Sequence, residues 1–157
     1  MLVRSMSPDD VHATAKVHQI SFPRQTLSQD SISANFNGFP KIIPFVTELN
    51  DQTIGYIFWT QKSGFRSEVI LELEQMAVHP DHRGQGIGQK LVEDSVPQVK
   101  AYLTTQNSIL KHIVVTTRAD NDAQALYRKT LGAEVEAVIK NLYSADEVFM
   151  AARHNKL

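Results

Sequence analysis

Cysteine is absent from all 157 residues. Its absence excludes a disulfide framework, a thiolate zinc site and a cysteine nucleophile. An excess of one charge is lacking too: 16 Lys and Arg face 17 Asp and Glu, for a formal net charge of −1. So even a balance gives no field to draw in nucleic acid or an anionic membrane, and neither is expected as a partner. No stretch approaches the roughly 20 consecutive apolar residues of a membrane span. Met1-Leu2-Val3-Arg4-Ser5 meets Pro8-Asp9-Asp10 at once, too short an apolar run for a signal peptide. The expectation is a soluble cytoplasmic protein. Repeats, low-complexity tracts and linkers are also missing, and the length suits one domain, residues 1–157.

What is present alternates between two periods. Leu2 to Met6 reads as a strand, and Ser7-Pro8 as a helix cap with proline at the first helical position. Val11, Ala15, Val17 and Ile20 follow a helical spacing that Pro23 ends. Ser28 is expected to cap a second helix through Ile32 and Phe36, stopped by Asn37-Gly38 and Pro40. Ile42 to Leu49 and Thr53 to Thr60 read as a hairpin turning at Asn50-Asp51. Glu68 to Val78 is a third strand of this run. A helix follows from Gly86, and Pro97 inside it predicts a kink near Ser95 or two shorter helices. Ile109 to Thr117 is a strand, Ala123 to Leu131 a helix closed by Gly132, and Ala133 to Leu142 and Glu147 to Arg153 are the last strands. The order β-α-α-β-β-β-α-β-α-β-β predicts an α+β domain: a mixed, largely antiparallel sheet of about seven strands flanked by about four helices.

The sharpest signal is Arg83-Gly84-Gln85-Gly86-Ile87-Gly88, after a strand and before a helix. Glycines let a backbone approach an anion closely and take positive φ. The free N–H groups of a helix start then point at that anion, aided by the dipole. Arg83 adds a planar, permanently charged donor. A phosphate-binding P-loop needs Gly-Lys-Ser/Thr, but Gly88 is followed by Gln89-Lys90-Leu91. A dinucleotide fingerprint needs the spacing G-x-G-x-x-G near the first strand of a βαβ unit, and here the glycines alternate deep in the chain. The alternative to a ligand site is a plain glycine-rich turn.

The run Met76-Ala77-Val78-His79-Pro80-Asp81-His82-Arg83-Gly84-Gln85-Gly86-Ile87-Gly88-Gln89-Lys90-Leu91-Val92 resembles the acetyl-CoA motif of the GNAT acetyltransferase superfamily. Arg83, Gly86 and Gly88 stand at its defining positions. Downstream, Ala123-Gln124-Ala125-Leu126-Tyr127-Arg128-Lys129-Thr130-Leu131-Gly132 resembles the A-x-x-L-Y-x-x-x-G segment of the same superfamily. The resemblance implies acetyl-CoA as co-substrate and no metal. It implies that backbone groups of Met76 and Val78, flanking Ala77, pair with the pantetheine arm. The loop Arg83, Gly84, Gln85, Gly86, Ile87, Gly88 and Gln89 would hold the pyrophosphate, Tyr127 would lie near the thioester, and Asn121 would contribute from the segment before it. Strict spacing puts Asp120 at the asparagine position, with Asn121 one residue late. Ala133 stands where an aromatic is common.

Transfer to an amine needs a base for the ammonium proton and an acid for the leaving thiolate. Glu72 and Glu74 sit two apart on one strand and so share a face if it is regular. The plainer reading is a solvated strand face. The resemblance implies Glu72 as the base, with Glu74 second should a bulge re-aim the strand. It implies Tyr127 as the acid, against a reading as core packing on an amphipathic helix. A looser likeness to bacterial ribosomal-protein N-terminal acetyltransferases rests on Ser21-Phe22-Pro23 and Asn141-Leu142-Tyr143. Those enzymes carry a catalytic glutamate where this chain has Val115-Thr116-Thr117, so the base must come from elsewhere or the acceptor differs.

His79 and His82 flank a Pro-Asp turn with no third ligand in view and read as solvated. By strand alternation Tyr56 and Phe58 share one face and Trp59 takes the other, as core packing. Phe22, Arg24 and Phe36 read as packing on helices that, by the resemblance, border an acceptor site. The expectation is therefore an acetyltransferase acting on a primary amine: a protein N-terminus, a lysine or a small molecule. A homodimer stays open. The competing reading is a non-catalytic module that senses acyl-CoA or binds a protein partner.

Overall fold

The computed structural model describes residues 1–153. Seven strands form a sheet in the order β1-β2-β3-β4-β5-β7-β6. They are β1 (Leu2–Ser5), β2 (Ile42–Leu49), β3 (Gln52–Gln61), β4 (Glu68–Val78), β5 (Ile109–Arg118), β6 (Glu134–Ile139) and β7 (Glu147–Arg153). Four α-helices accompany them: α1 (Val11–Ser21), α2 (Ser28–Asn37), α3 (Ile87–Thr105) and α4 (Ala123–Leu131). The β4–β5 pair is parallel, whereas β1–β2, β2–β3, β5–β7 and β6–β7 are antiparallel. This is the α+β architecture and mixed sheet that the periodicities predict.

The chain divides into two compact units. The first comprises Met1–Thr60 and Glu74–Val99. Its core gathers Met6, Ala15, Val17, Ile32, Val46, Tyr56, Phe58 and Ala77, with Val11, Phe22, Phe36 and Ile42 packed against them. Tyr56 and Phe58 therefore face α1 and α2, their rings 4.8 Å apart. Trp59 points the other way, where its Nε1 donates to Ser95 Oγ of α3 at 2.9 Å. Alternation holds, and β3 is buried on both faces because helices cover both. The β2–β3 turn places Asn50 and Asp51 at φ 51° and 61°, as a two-residue hairpin loop of the primed type requires.

Local chemistry departs from expectation at both early helix starts. Pro8 opens a 3₁₀ turn, Pro8–Asp10, and α1 begins only at Val11. The Ser7 N–H and Oγ both donate to Asp10, while Asp10 accepts two bonds from Arg4. Ser28 does not cap α2. Leu27 holds that place at φ 54°, and Ser28, the first helical residue, is bonded to His18 Nδ1 at 2.8 Å.

Helix α3 runs unbroken through Pro97, in place of two shorter helices. The reason lies in which side the proline occupies. Pro97 has no N–H to offer the Glu93 carbonyl, and both residues are exposed, so water can serve the freed carbonyl.

The second unit comprises Gln61–Leu73 and the chain from Lys100 onward. Here β5 pairs with β4 from Glu68↔Ile109 to Glu72↔Val114, and with β7 from His112↔Arg153 to Arg118↔Glu147. Strand β6 is shorter than the sequence suggests, ending at Ile139 and exposed throughout. Gly132, at φ 69°, closes α4 by donating to Arg128 O.

Candidate active site

In the first unit, β4 feeds the glycine loop. Leu71, Leu73 and Ala77 are buried, Glu72, Met76 and Val78 are half-buried, and Glu74 is exposed. Against β5, the ladder irregularity between Val69 and Ile70 adds Lys111 to β5. Against β3 the extra residue lies on β4: the Lys62 N–H donates to Ile70 O and the His79 N–H to Ile54 O, nine residues of β4 against eight of β3. A bulge of the kind that could re-aim Glu74 therefore falls between Ile70 and His79. The His79 N–H donates to Ile54 O of β3 at 2.7 Å. Because successive peptide groups point to opposite edges of a strand, the main-chain groups of Met76 and Val78 face the edge away from β3. They lie beyond the last β4–β5 rung at Glu72. Gly55 keeps this stretch close to β3, since a Cβ there would stand 3.0 Å from Ala77 O.

After the 3₁₀ turn Pro80–His82, Gly84 and Gly86 take φ of 75° and 77°. A Cβ built on either meets nothing within 4 Å. The glycines are thus required by backbone conformation, and the space above them is open. Helix α3 begins at Ile87, and its first intrahelical bond runs from Lys90 N to Gly86 O. By helix geometry the amides of Ile87, Gly88 and Gln89 have no acceptor within the helix. Left-handed glycines and helix-start amides in open space fit a pyrophosphate by charge and size. Arg83 is partly committed: its Nε donates to Val78 O at 2.9 Å and its Nη2 to Ser21 Oγ at 3.3 Å. It braces the loop against the end of β4 as well as adding positive charge.

A polar chain that the sequence did not reveal lies beside β4 in this unit. The Tyr56 hydroxyl donates to Gln75 Oε1 at 2.8 Å, Gln75 Nε2 donates to Gln25 Oε1, and His18 Nε2 lies 2.9 Å from that same oxygen. Burial raises the Tyr56 pKa, so the hydroxyl stays a donor. His79 and His82 sit edge to face at 5.8 Å on the turn. Among the described residues, no group of three or more His, Cys, Asp or Glu is placed to hold a metal.

The second unit carries the remaining candidates. Glu72 is half-buried and ion-paired with Lys62 at 3.0 Å. Tyr127 of α4 is 6% exposed, and burial pushes its phenol up to about 12. Asn121 is engaged at both ends of its amide: Oδ1 accepts the Ala123 N–H and Nδ2 donates to Thr117 Oγ1. It organises the start of α4.

One carboxylate escaped the sequence reading. Glu147, the first residue of β7, is 5% exposed. Burial raises its pKa, partly countered by nearby Arg118, while Asp120 adds to the rise. At the head of a strand a glutamate looks solvated. In the ladder it lies between Arg118 of β5 and Ile139 of β6.

The family described as acetyltransferase (GNAT) domain matches residues 40–130, more than half of the chain. No curated protein sequence matches it. Among solved structures, the ribosomal-protein-S18-alanine N-acetyltransferase from Escherichia coli superposes with a TM-score of 0.77 at 21% identity, covering 97% of this chain and 92% of that one. Arabidopsis thaliana NAA60 in complex with acetyl-CoA gives 0.75 at 16% identity, covering 98% of each. An aminoglycoside 6'-N-acetyltransferase complexed with coenzyme A gives 0.74 at 16% identity, covering 98% and 97%.

Proposed function

Because the chain belongs to the GNAT acetyltransferase family, we propose that it transfers the acetyl group of acetyl-CoA to a primary amine. The observation that carries this reading is the pair of left-handed glycines, Gly84 and Gly86, opening onto the free amides of α3. Residues Arg83 to Gln89 bind the pyrophosphate through those amides. Met76 and Val78 offer their main-chain groups to the pantetheine arm along the edge turned away from β3, with Ala77 packed beneath. Asn121, by its bonds to Thr117 and Ala123, fixes the start of α4, which carries Tyr127.

Acetyl-CoA supplies an activated carbonyl and a leaving thiolate. Tyr127, held protonated by burial, donates a proton to that thiolate. A carboxylate accepts the proton of the acceptor ammonium, and on β4 the candidates are Glu72 first and Glu74 second. The acceptor is a protein N-terminus, a lysine or a small amine. The solved neighbours named for a ribosomal protein and for aminoglycosides support the breadth of that class.

Thermal unfolding with acetyl-CoA, ATP and NAD tests the cofactor assignment. Stabilisation by acetyl-CoA alone is expected from linkage. A response to ATP or NAD without one to acetyl-CoA refutes it. The second reading, a non-catalytic acyl-CoA-binding module, draws on the absence of a carboxylate at Val115, Thr116 and Thr117. Release of free coenzyme A in the presence of amines separates the two.

A further inference from the structure

We propose that Glu147 is the base that takes the proton from the acceptor ammonium. The inference rests on the acetyl-transfer reading and names a base other than the two β4 carboxylates.

The argument begins with sheet register. Thr117 turns toward Asn121, to which it is hydrogen-bonded. Alternation then puts Thr116 and Arg118 on the opposite face of β5. Directly across on β7, Thr116 pairs with Phe149 and Arg118 with Glu147. Residues paired across a ladder share a face. Glu147 therefore stands one same-face step beyond Thr116, on the neighbouring strand. It brings a carboxylate to a strand end where β5 itself offers only valine and threonines.

Availability separates the carboxylates. Glu72 is paired with Lys62 at 3.0 Å, so its carboxylate is already engaged. Register places it opposite Val114, which is opposite Ala151, four residues along β7 from Glu147. Four strand residues span roughly 13 Å, so Glu72 and Glu147 cannot serve the same nitrogen. Glu74 is exposed.

Glu147 has the one cation nearby turned elsewhere. Arg118 gives Nε and Nη2 to Asp120 and Nη1 to Ser144 Oγ. No ion pair to Glu147 forms among the described residues. The charged groups acting on it are Arg118 and Asp120, while β6 sets the apolar Ile139 opposite. Asp146, its chain neighbour, is bonded to the Asn141 amide. A buried carboxylate with no cation bound to it is costly as an anion and gains by taking a proton. Readiness to take up a proton is what a general base needs.

The step balances as follows. The ammonium gives one proton to Glu147, which passes it to solvent. The freed nitrogen lone pair forms the C–N bond while the C–S bond breaks, its electron pair leaving on sulfur. The second nitrogen proton goes to water or to tyrosinate, and the Tyr127 hydroxyl supplies the proton that ends on sulfur. One proton is released per turnover.

The test uses the full chain with acetyl-CoA and three probes: a peptide with a free N-terminal alanine, an Nα-blocked lysine, and kanamycin. For the amine that turns over, Glu147→Gln is expected to lower kcat/KM at pH 7 by ~10²–10⁴-fold, the range for a lost general base. The deficit narrows toward high pH, where more of the amine is already neutral. Glu147→Asp restores part of the rate. Removing a buried charge should leave the thermal midpoint of Glu147→Gln equal to or above the parent's at pH 8. A parental pH profile in Glu147→Gln overturns the proposal. So does a lowered midpoint with a pH-independent rate loss, which marks a structural residue. If acetyl-CoA stabilises the parent but none of the three amines releases coenzyme A, the transferase reading falls and the proposal with it.

Discussion

Replacing Gly86 by valine is expected to remove the response to acetyl-CoA while leaving the protein folded. Gly86 sits at φ 77°, and a Cβ there meets no protein atom within 4 Å. The intramolecular cost is therefore conformational alone, ~1–2 kcal/mol for an L-residue forced into the left-handed region. For a chain of this size each kcal/mol shifts the midpoint by ~2–4 °C, so the free protein should lose ~2–8 °C. Ligand at a hundred times its dissociation constant adds ~2.7 kcal/mol to the parent, or ~5–11 °C by the same conversion. In the variant that gain vanishes, because the valine branches occupy the space above the loop that a pyrophosphate must enter. Gly132→Val is the matched control. Its φ is 69° and its Cβ space is equally open, so it bears the same backbone cost at the end of α4, where no phosphate contact is assigned. The assay is thermal unfolding of the three proteins with and without acetyl-CoA. If Gly86→Val keeps the full ligand gain, or Gly132→Val loses it equally, the assignment of the loop to pyrophosphate is wrong.

Further outcomes can be checked with the same material. Tyr127→Phe should keep the acetyl-CoA stabilisation and lose ~10²–10⁴-fold in turnover; normal turnover would make the residue packing alone. With its phenol raised to about 12, Tyr127 should contribute no pH limb below that value in the parent's rate profile. Asp10 is held down to about 2, from an ordinary 3.8, first by the Arg4 hydrogen bonds. At 1.36 kcal/mol per unit, reduced for solvent screening at the partly exposed Arg4, this contributes ~1–2 kcal/mol. A depressed folded pKa gives stability that is present above about 3.8 and lost as pH falls through about 2. Asp10→Asn should therefore be less stable than the parent at pH 6, with the gap closing between pH 4 and 2. A gap that persists unchanged at pH 2 would exclude ionisation as its source.

The parts legible in sequence are those fixed by local rules. Strand alternation placed Tyr56, Phe58 and Trp59 on their faces, and the glycine spacing marked the turn into α3. Period two gives the shared face of Glu72 and Glu74 only for a regular strand, and β4 carries one more residue than β3 between Ile70 and His79. The misses have tertiary causes. Ser28 has the chemistry of a cap, but its hydroxyl is bonded to the buried His18 across the α1–α2 connection. Pro97 reads as a breaker only until its exposure is known. Glu147 looks solvated because nothing in the sequence says that its ladder neighbours are Arg118 and Ile139. The engagement of Asn121 with Thr117 and Ala123 likewise depends on how the chain leaves β5.

The central claim is acetyl transfer, and its most direct measurement follows both products at once. The protein is incubated with acetyl-CoA and each of the three probe amines, while free coenzyme A thiol and the mass of the amine are recorded against a protein-free control. The account predicts thiol released in step with one acetyl group gained by at least one amine, at a rate proportional to protein concentration. Thiol release no faster than the control for all three amines, from a protein that acetyl-CoA nonetheless stabilises, would contradict it.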